Sequence, residues 1–329
     1  MSNPQISPAY LALYESGELA RRAVDARKML AACTICPRRC EVDRDLGRIG
    51  HCKIASRARV ASYGPHFGEE QVLVGRTGSG AVFFEGCSLG CVFCQNADIS
   101  RVQTPGDDHP AAVTAERLAR IMLELQEQGC LNINFVTPGH VVPQILEALC
   151  IAAQQGLRLP LVYNSGGYDL VETLHLLDGV IDIYMPDCKF METEHCERFL
   201  AAADYSQQMQ ASVREMHRQV GDLELDEKGR AVRGLLVRHL VMPGCLEDTR
   251  LIMEFLAGEI SQNTYVNIMD QYHPCYRAAE FPEISRPLDR EEFVRAEKTA
   301  RKAGLHRFAG TNISRLLELL LGSGIAEEG

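Results

Sequence analysis

The chain has 329 residues, of which 46% are hydrophobic and 24% charged, with no Trp and 13 Cys. That apolar content excludes a largely disordered chain, and the length admits one α/β barrel of ~250 residues with additions at either end. Lys and Arg together number 34 against 44 Asp and Glu, and the net charge of -10 argues against a dedicated nucleic-acid binder and against a basic membrane-surface protein.

The first residues show no basic start followed by an apolar core, and no apolar stretch approaches the length that spans a bilayer. The expected location is the cytoplasm, where disulfides are rare, so the cysteine content points to metal or redox chemistry. Residues 8–31 read as helix, with Leu11, Leu13, Leu19, Ala20, Val24, Met29 and Leu30 on a helical period. A loop punctuated by Pro, Arg and Gly follows and carries Cys33, Cys36, Cys40 and Cys52. Residues 57–75 then read as β, and the glycines at 75, 78 and 80 as a hairpin turn.

From residue 81 onward strands and helices alternate. Strands are expected in AVFFEGC, NINFVTPG, LPLVYNSGG, DIYMPDC, GLLVRHLVMPG and TYVNIMDQYHP. The intervening helices fall at 113–129, 141–155, 169–177, 192–219 and 247–259, with further helices near 290–304 and 311–321. Strict alternation argues for a parallel sheet with covering helices, either an open doubly wound sheet or a partial barrel. In both cases reactive groups belong at the C-terminal ends of the strands. All six strands end in polar or Gly/Pro-rich residues, which would then share one rim.

The spacing Cys87-x3-Cys91-x2-Cys94 follows the first of these strands directly. Three thiolates that close can hold a cubic iron–sulfur cluster by three of its irons and leave the fourth for a substrate. A structural zinc completed by a distant ligand such as His51 is the alternative. The other six cysteines, Cys130, Cys150, Cys188, Cys196, Cys245 and Cys275, stand alone and read as packing residues. Four thiols at Cys33, Cys36, Cys40 and Cys52 suit either a closed zinc site or a second [4Fe-4S] cluster. Arg38, Arg39, Arg44 and Arg48 make a local basic patch that either solvates this loop or docks an acidic electron-donor protein.

The run CSLGCVFCQNADIS resembles the cluster loop of radical S-adenosylmethionine (radical SAM) enzymes, and most closely the pyruvate formate-lyase activating enzyme group. YMPDCK, VRHLVMPG and IMDQYHP resemble later motifs of that group in the right order, so the likeness covers roughly residues 80–276. The Cys-rich leader and the MDQYHP ending resemble its uncharacterised activating-enzyme-like branch. The resemblance implies a partial (β/α)6 TIM-like barrel over residues 76–276, preceded by an N-terminal helix and Cys-rich metal-binding extension (1–75) and followed by a helical tail (277–329).

It also implies a [4Fe-4S] cluster on Cys87, Cys91 and Cys94, with SAM chelated at the open iron. Phe93 would lie near the adenine, and Asp187 and Lys189 near the SAM carboxylate and ribose, with a monovalent cation at Asp187 and the Met185 carbonyl. Asn164 and Ser165 fall at that cation, where the family has Asp-Thr. Arg238 and residues 241–244 would line the adenine side, and His273 would contact SAM from the last strand. The family's Gly-Gly-Glu is replaced by Thr137-Pro138-Gly139-His140, which leaves the SAM amino group to Thr137 or a carbonyl.

The activity implied is reductive cleavage of SAM to a 5′-deoxyadenosyl radical that abstracts hydrogen from a substrate. That substrate is a glycyl residue of a partner enzyme, or another protein, peptide or metabolite. Reduced flavodoxin or ferredoxin is the electron donor the resemblance implies; neither nucleic acid nor membrane is expected as a partner. The reading from another class is an iron–sulfur electron carrier or metal sensor, which explains both cysteine sets but not a three-ligand cluster beside polar strand ends.

Overall fold

The computed structural model describes residues 7–104 and 106–310, and the helix expected at 311–321 lies outside them. In chain order the strands are β1 (Ala58–His66), β2 (Ser79–Phe84), β3 (Ala112–Val113), β4 (Ile133–Val136), β5 (Leu161–Ser165), β6 (Ile183–Pro186), β7 (Glu224–Leu225), β8 (Ala231–Leu240), β9 (Tyr265–Met269) and β10 (Arg307–Phe308). The helices are α1 (Tyr10–Glu15), α2 (Glu18–Lys28), α3 (Gln71–Val74), α4 (Ala97–Ser100), α5 (Ala115–Glu127), α6 (Val142–Gln154), α7 (Val171–Leu176), α8 (Thr193–Leu200), α9 (Tyr205–Val220), α10 (Leu246–Phe255) and α11 (Arg290–Ala303).

The six expected strands are β2, β4, β5, β6, β8 and β9, and they lie side by side in sequence order, all parallel. A doubly wound sheet reverses its strand order at a switch point; this one never does, so it winds in one sense as a barrel does. Strand β10 adds a further parallel neighbour to β9, and β1 and β3 extend the other edge antiparallel. Phe83 at the end of β2 and Phe308 of β10 line the same cavity, so the sheet curls until its two sides face each other without closing.

The alternation of side chains divides the apolar residues into two layers. Outward residues such as Phe135, Tyr163, Tyr184 and Val237 pack under the helices in a core that runs from Tyr10 to Leu305. Inward residues Val162, Ile183, Met185 and Leu236 meet Val72 and Leu73 of α3 and Leu223 in a separate cluster that floors the barrel. Burial on both faces explains why the strands read as apolar runs rather than as clean alternation.

Several local expectations change. The helix expected over 8–31 is two, because Gly17 adopts φ +77° between α1 and α2. The helix expected over 192–219 is likewise two, with Ala201 in the left-handed region at φ +53° ending α8. The β stretch expected over 57–75 ends at His66, and Gln71–Val74 form the floor helix α3 instead. The glycine turn therefore belongs to a long connection between β1 and β2 rather than to a tight hairpin. Side chains cap two helix starts: Thr114 accepts from the Arg117 N–H at α5, and Asp289 and Glu292 form a capping box at α11. No helix of the described residues is long and apolar enough to cross a membrane.

Candidate active site and cysteine centres

A cavity of about 1170 Å³ opens at the C-terminal ends of the parallel strands. Every one of the six strand ends contributes to it, including Cys87 after β2, Thr137 after β4, Asn164 on β5, Asp187 after β6, Arg238 on β8 and Asn267 on β9. Cys91, Phe93, Cys94, Ser165 and Lys189 also line it. His273 does not: it is exposed in the segment after β9, with Nδ1 3.2 Å from the Gln271 carbonyl.

The loop bearing Cys87, Cys91 and Cys94 is held from three sides. The end of α8 leaves carbonyls without helical partners, and the N–H groups of Gly90 and Val92 donate to those of Leu200 and Phe199 at 2.8 and 2.9 Å. Gly90 is required there, because a Cβ would lie 2.8 Å from the Ala201 Cβ. The Arg277 N–H donates to the Val92 carbonyl from the segment after β9. On the third side, the Arg38 Nε donates to the Ser88 carbonyl at 2.7 Å, and Gly86, at φ +81°, sits where a Cβ would come within 2.5 Å of the Cys52 carbonyl.

The Leu89 N–H donates to the Cys87 sulfur at 3.3 Å, and Cys94 Sγ lies 3.3 Å from Ser100 Oγ. Burial pushes the Cys91 thiol up to about 12, and the Cys87 thiol also rises for the same reason. Neutral thiols at neutral pH become thiolates on binding a metal, which repays the desolvation by direct bonds.

Across the cavity Lys189 Nζ donates to Asp187 Oδ2 at 2.6 Å. Burial works against the Lys189 ammonium, but the Asp187 carboxylate, joined by Cys91 and Cys94 when these are thiolates, outweighs it and holds its pKa above the ordinary lysine value. Phe93 is wedged edge-on against Phe190 and Tyr272, with centroids 5.9 and 6.3 Å away. Ser165 is structurally engaged: its hydroxyl donates to Asp169 at 2.7 Å and accepts from the Gly167 N–H.

Thr137 has φ +61°, a conformation that a β-branched residue adopts only under constraint. Its N–H donates to the Asn164 carbonyl at 2.8 Å, and two residues on, Gly139 allows Asp169 to approach where a Cβ would meet Oδ1 at 2.6 Å.

Sequence reading missed the partners of Arg238. Glu70 takes its guanidinium through both carboxylate oxygens, at 2.7 and 2.6 Å; Glu69 adds an ion pair, and Asn267 donates to Glu70 at 2.7 Å. Burial works against the Arg238 charge, and the attraction of Glu70 overrides it. The adjacent carboxylates of HFGEEQVLVG were the available signal, hidden by reading that stretch as β.

A second missed group lies outside the cavity. Among the described residues, His195, Cys245 and Asp248 bring their ligand atoms within 4.8 Å of one another. Asp248 there accepts from His195 Nδ1 at 2.5 Å and from the N–H groups of Met191 and Glu192, which accounts for it as a bridge from α10 to α8.

Of the four N-terminal cysteines, Cys33, Cys36 and Cys52 are buried and Cys40 is half-buried. Burial pushes the Cys36 thiol up to about 12 and raises the Cys52 thiol as well, and the His51 N–H points at Cys40 Sγ at 3.4 Å. Cys130, Cys188, Cys196 and Cys245 lie in the apolar core. The expected basic patch is divided: Arg44 is buried, Arg39 pairs with Glu172, and Arg48 is exposed.

The chain is 35% identical over 283 residues to an uncharacterized protein, MJ0674, of Methanocaldococcus jannaschii, a match that covers 85% of this chain and 77% of that one. No protein-family model matches. Among solved structures, that of TYW1 with a lysine-pyruvate adduct bound overlaps 68% of this chain and 73% of that chain at 12% identity, with a TM-score of 0.43, too loose a likeness to carry an argument.

Proposed function

The chain belongs to the family of the uncharacterized protein MJ0674, and we propose that it is a radical SAM enzyme. The observation that carries this is the convergence of Cys87, Cys91 and Cys94 with Asp187 and Lys189 on one cavity at the C-terminal ends of a parallel, singly wound sheet. When bound, a [4Fe-4S] cluster would deliver an electron to SAM and so generate the hydrogen-abstracting radical.

The chain's own residues have separate tasks. Cys87, Cys91 and Cys94 would hold the cluster, and the Leu89 N–H would stabilise the Cys87 thiolate. Lys189, kept cationic by Asp187, faces the SAM carboxylate and ribose. Thr137 or a backbone carbonyl would accept a hydrogen bond from the SAM amino group in place of an absent carboxylate. Phe93 and Arg238 bound the adenine side, with Arg238 fixed there by Glu70. The cavity would position a substrate C–H. The substrate class that the family resemblance favours is a glycyl residue of a partner protein, an analogy rather than a site argument; another protein, a peptide or a metabolite is the second choice.

Cys33, Cys36, Cys40 and Cys52 form a second, closed centre of zinc or iron–sulfur type. Electrons come from reduced flavodoxin or ferredoxin in the cytoplasm. An electron carrier or sensor is disfavoured because it has no use for a cavity of about 1170 Å³ beside its cluster.

The test is anaerobic reconstitution with iron and sulfide, followed by dithionite and SAM, with 5′-deoxyadenosine quantified. Product from the wild type and none from Cys94→Ala is the expected result. A wild type that holds its cluster but does not bind SAM would end this reading.

A further inference from the structure

We infer that Arg44 is the built-in counter-cation of the centre formed by Cys33, Cys36, Cys40 and Cys52, and that it ties this centre to the strand-end loop lining the cavity. The inference rests on the second centre proposed above and gives it a charge partner.

Arg44 is 1% exposed and heads the largest fully buried side chains. A guanidinium cannot shed its charge in a protein, so a buried one needs an anion nearby. Its hydrogen-bond partners are the carbonyls of Ala55 and His140, both at 2.8 Å, and Cys33 Sγ at 3.8 Å. None of them is a carboxylate, and Nη2 has no partner. Four neutral thiols leave that charge uncompensated. The same four sulfurs bound to a divalent ion or to a cubane core are thiolates with a net negative charge, which supplies the missing anion.

The surrounding backbone is shaped for sulfur ligands independently of Arg44. A Cβ on Gly50 would lie 2.6 Å from Cys40 Sγ, so only glycine permits that approach. Arg39, Glu41 and Lys53 all have positive φ, each within three residues after a cysteine of the set. Strain of this kind persists where the surroundings enforce it, commonly at ligand-holding sites. The carbonyl that Arg44 holds belongs to His140, the end of the Thr137–His140 segment whose first residue lines the cavity. One guanidinium therefore bridges the N-terminal centre and the cavity rim.

The test uses the full chain with Cys87, Cys91 and Cys94 all replaced by Ser, so that any metal belongs to the N-terminal set and no SAM chemistry is read. This parent is loaded anaerobically with zinc, or with iron and sulfide, and metal, sulfide and absorption are measured. Arg44→Met and Arg44→Lys are compared with it for metal loss to a chelator and for Tm with and without metal. The Met variant is expected to lose metal at least tenfold more readily and to melt lower when loaded, yet to melt higher than the parent when metal-free. The Lys variant should stay close to the parent. With iron–sulfur in the site, the Met variant should also show a more negative midpoint potential, because removing a nearby positive charge disfavours the added electron. A Met variant that retains metal like the parent, or that melts lower in both states, overturns the role of Arg44. A parent that binds neither metal overturns the second centre and this inference with it, and leaves the Cys87–Cys91–Cys94 reading untouched.

Discussion

Arg38, between Cys36 and Cys40, donates through Nε to the carbonyl of Ser88, between Cys87 and Cys91, at 2.7 Å. The two cysteine loops are thus bonded to each other directly, and the Arg38 guanidinium also lies 5.3 Å from the centroid of the Tyr168 ring. Hydrogen bonds from a charged donor contribute about 2 kcal/mol. Arg38→Met, which keeps most of the volume, should lower stability by about that amount and change the electron paramagnetic resonance spectrum of the reduced cluster on Cys87, Cys91 and Cys94, with metal at the N-terminal set retained. An unchanged spectrum together with unchanged stability would mean that the loops are merely adjacent.

The Lys189–Asp187 pair yields a binding prediction. Asp187 holds the ammonium at one spot on the cavity wall and keeps it charged. Asp187→Asn removes the anion with little change in shape. SAM affinity, measured by equilibrium dialysis without reductant, should fall about tenfold, or about 1.4 kcal/mol. Undiminished affinity would return the pair to the status of an ordinary strand-end ion pair, of little energetic weight.

Thr137 separates strain from function. A β-branched residue at φ +61° costs about 1–3 kcal/mol. Glycine adopts that conformation freely but loses more entropy on folding. Thr137→Gly should therefore raise stability by about 1 kcal/mol in thermal or denaturant unfolding, while SAM binding weakens through loss of the hydroxyl. Thr137→Ala should weaken SAM binding similarly with little gain in stability. A Gly variant that is less stable and binds SAM normally would show that the segment carries no stored strain for the ligand.

Legibility in the sequence followed the range of the interactions. Strands β2, β4, β5, β6, β8 and β9 were readable because each is a short apolar run ending in polar or Gly/Pro-rich residues, and the helices between them carry local periodicity. The cysteine loop was readable because its three thiols lie within eight residues. What escaped was decided by contacts between distant segments. Glu70 meets Arg238 across 168 positions, and Arg44 meets His140 across 96. No local pattern encodes either. Ala201 breaks a stretch with continuous helical periodicity because the freed carbonyls of Leu200 and Phe199 are needed by Gly90 and Val92. Strand β10 is two residues long and exists only by pairing with β9, so it has no pattern of its own to read.

His140 gives a pH dependence whose sign is set by burial. Its ring is enclosed, with Nε2 2.8 Å from the Glu85 carbonyl and Nδ1 without a partner. Burial, and then the charge of Arg44, lower its pKa to about 4 in the fold from an ordinary value of 6.5. The unfolded chain therefore takes up the proton first as pH falls. The stability associated with the neutral ring is complete above about pH 6.5 and is lost progressively as pH falls toward about 4, with a total on the order of 3 kcal/mol. Other groups titrate in the same window, so the informative quantity is a difference between two proteins. His140→Gln keeps a donor for Glu85 and does not titrate. Unfolding of both proteins should be followed from pH 7 to pH 5, with the metal state held equal. The wild type should lose stability more steeply than the variant over that interval. Parallel curves would mean that the ring takes up its proton in the folded state as readily as in the unfolded one, and that its burial carries no electrostatic cost.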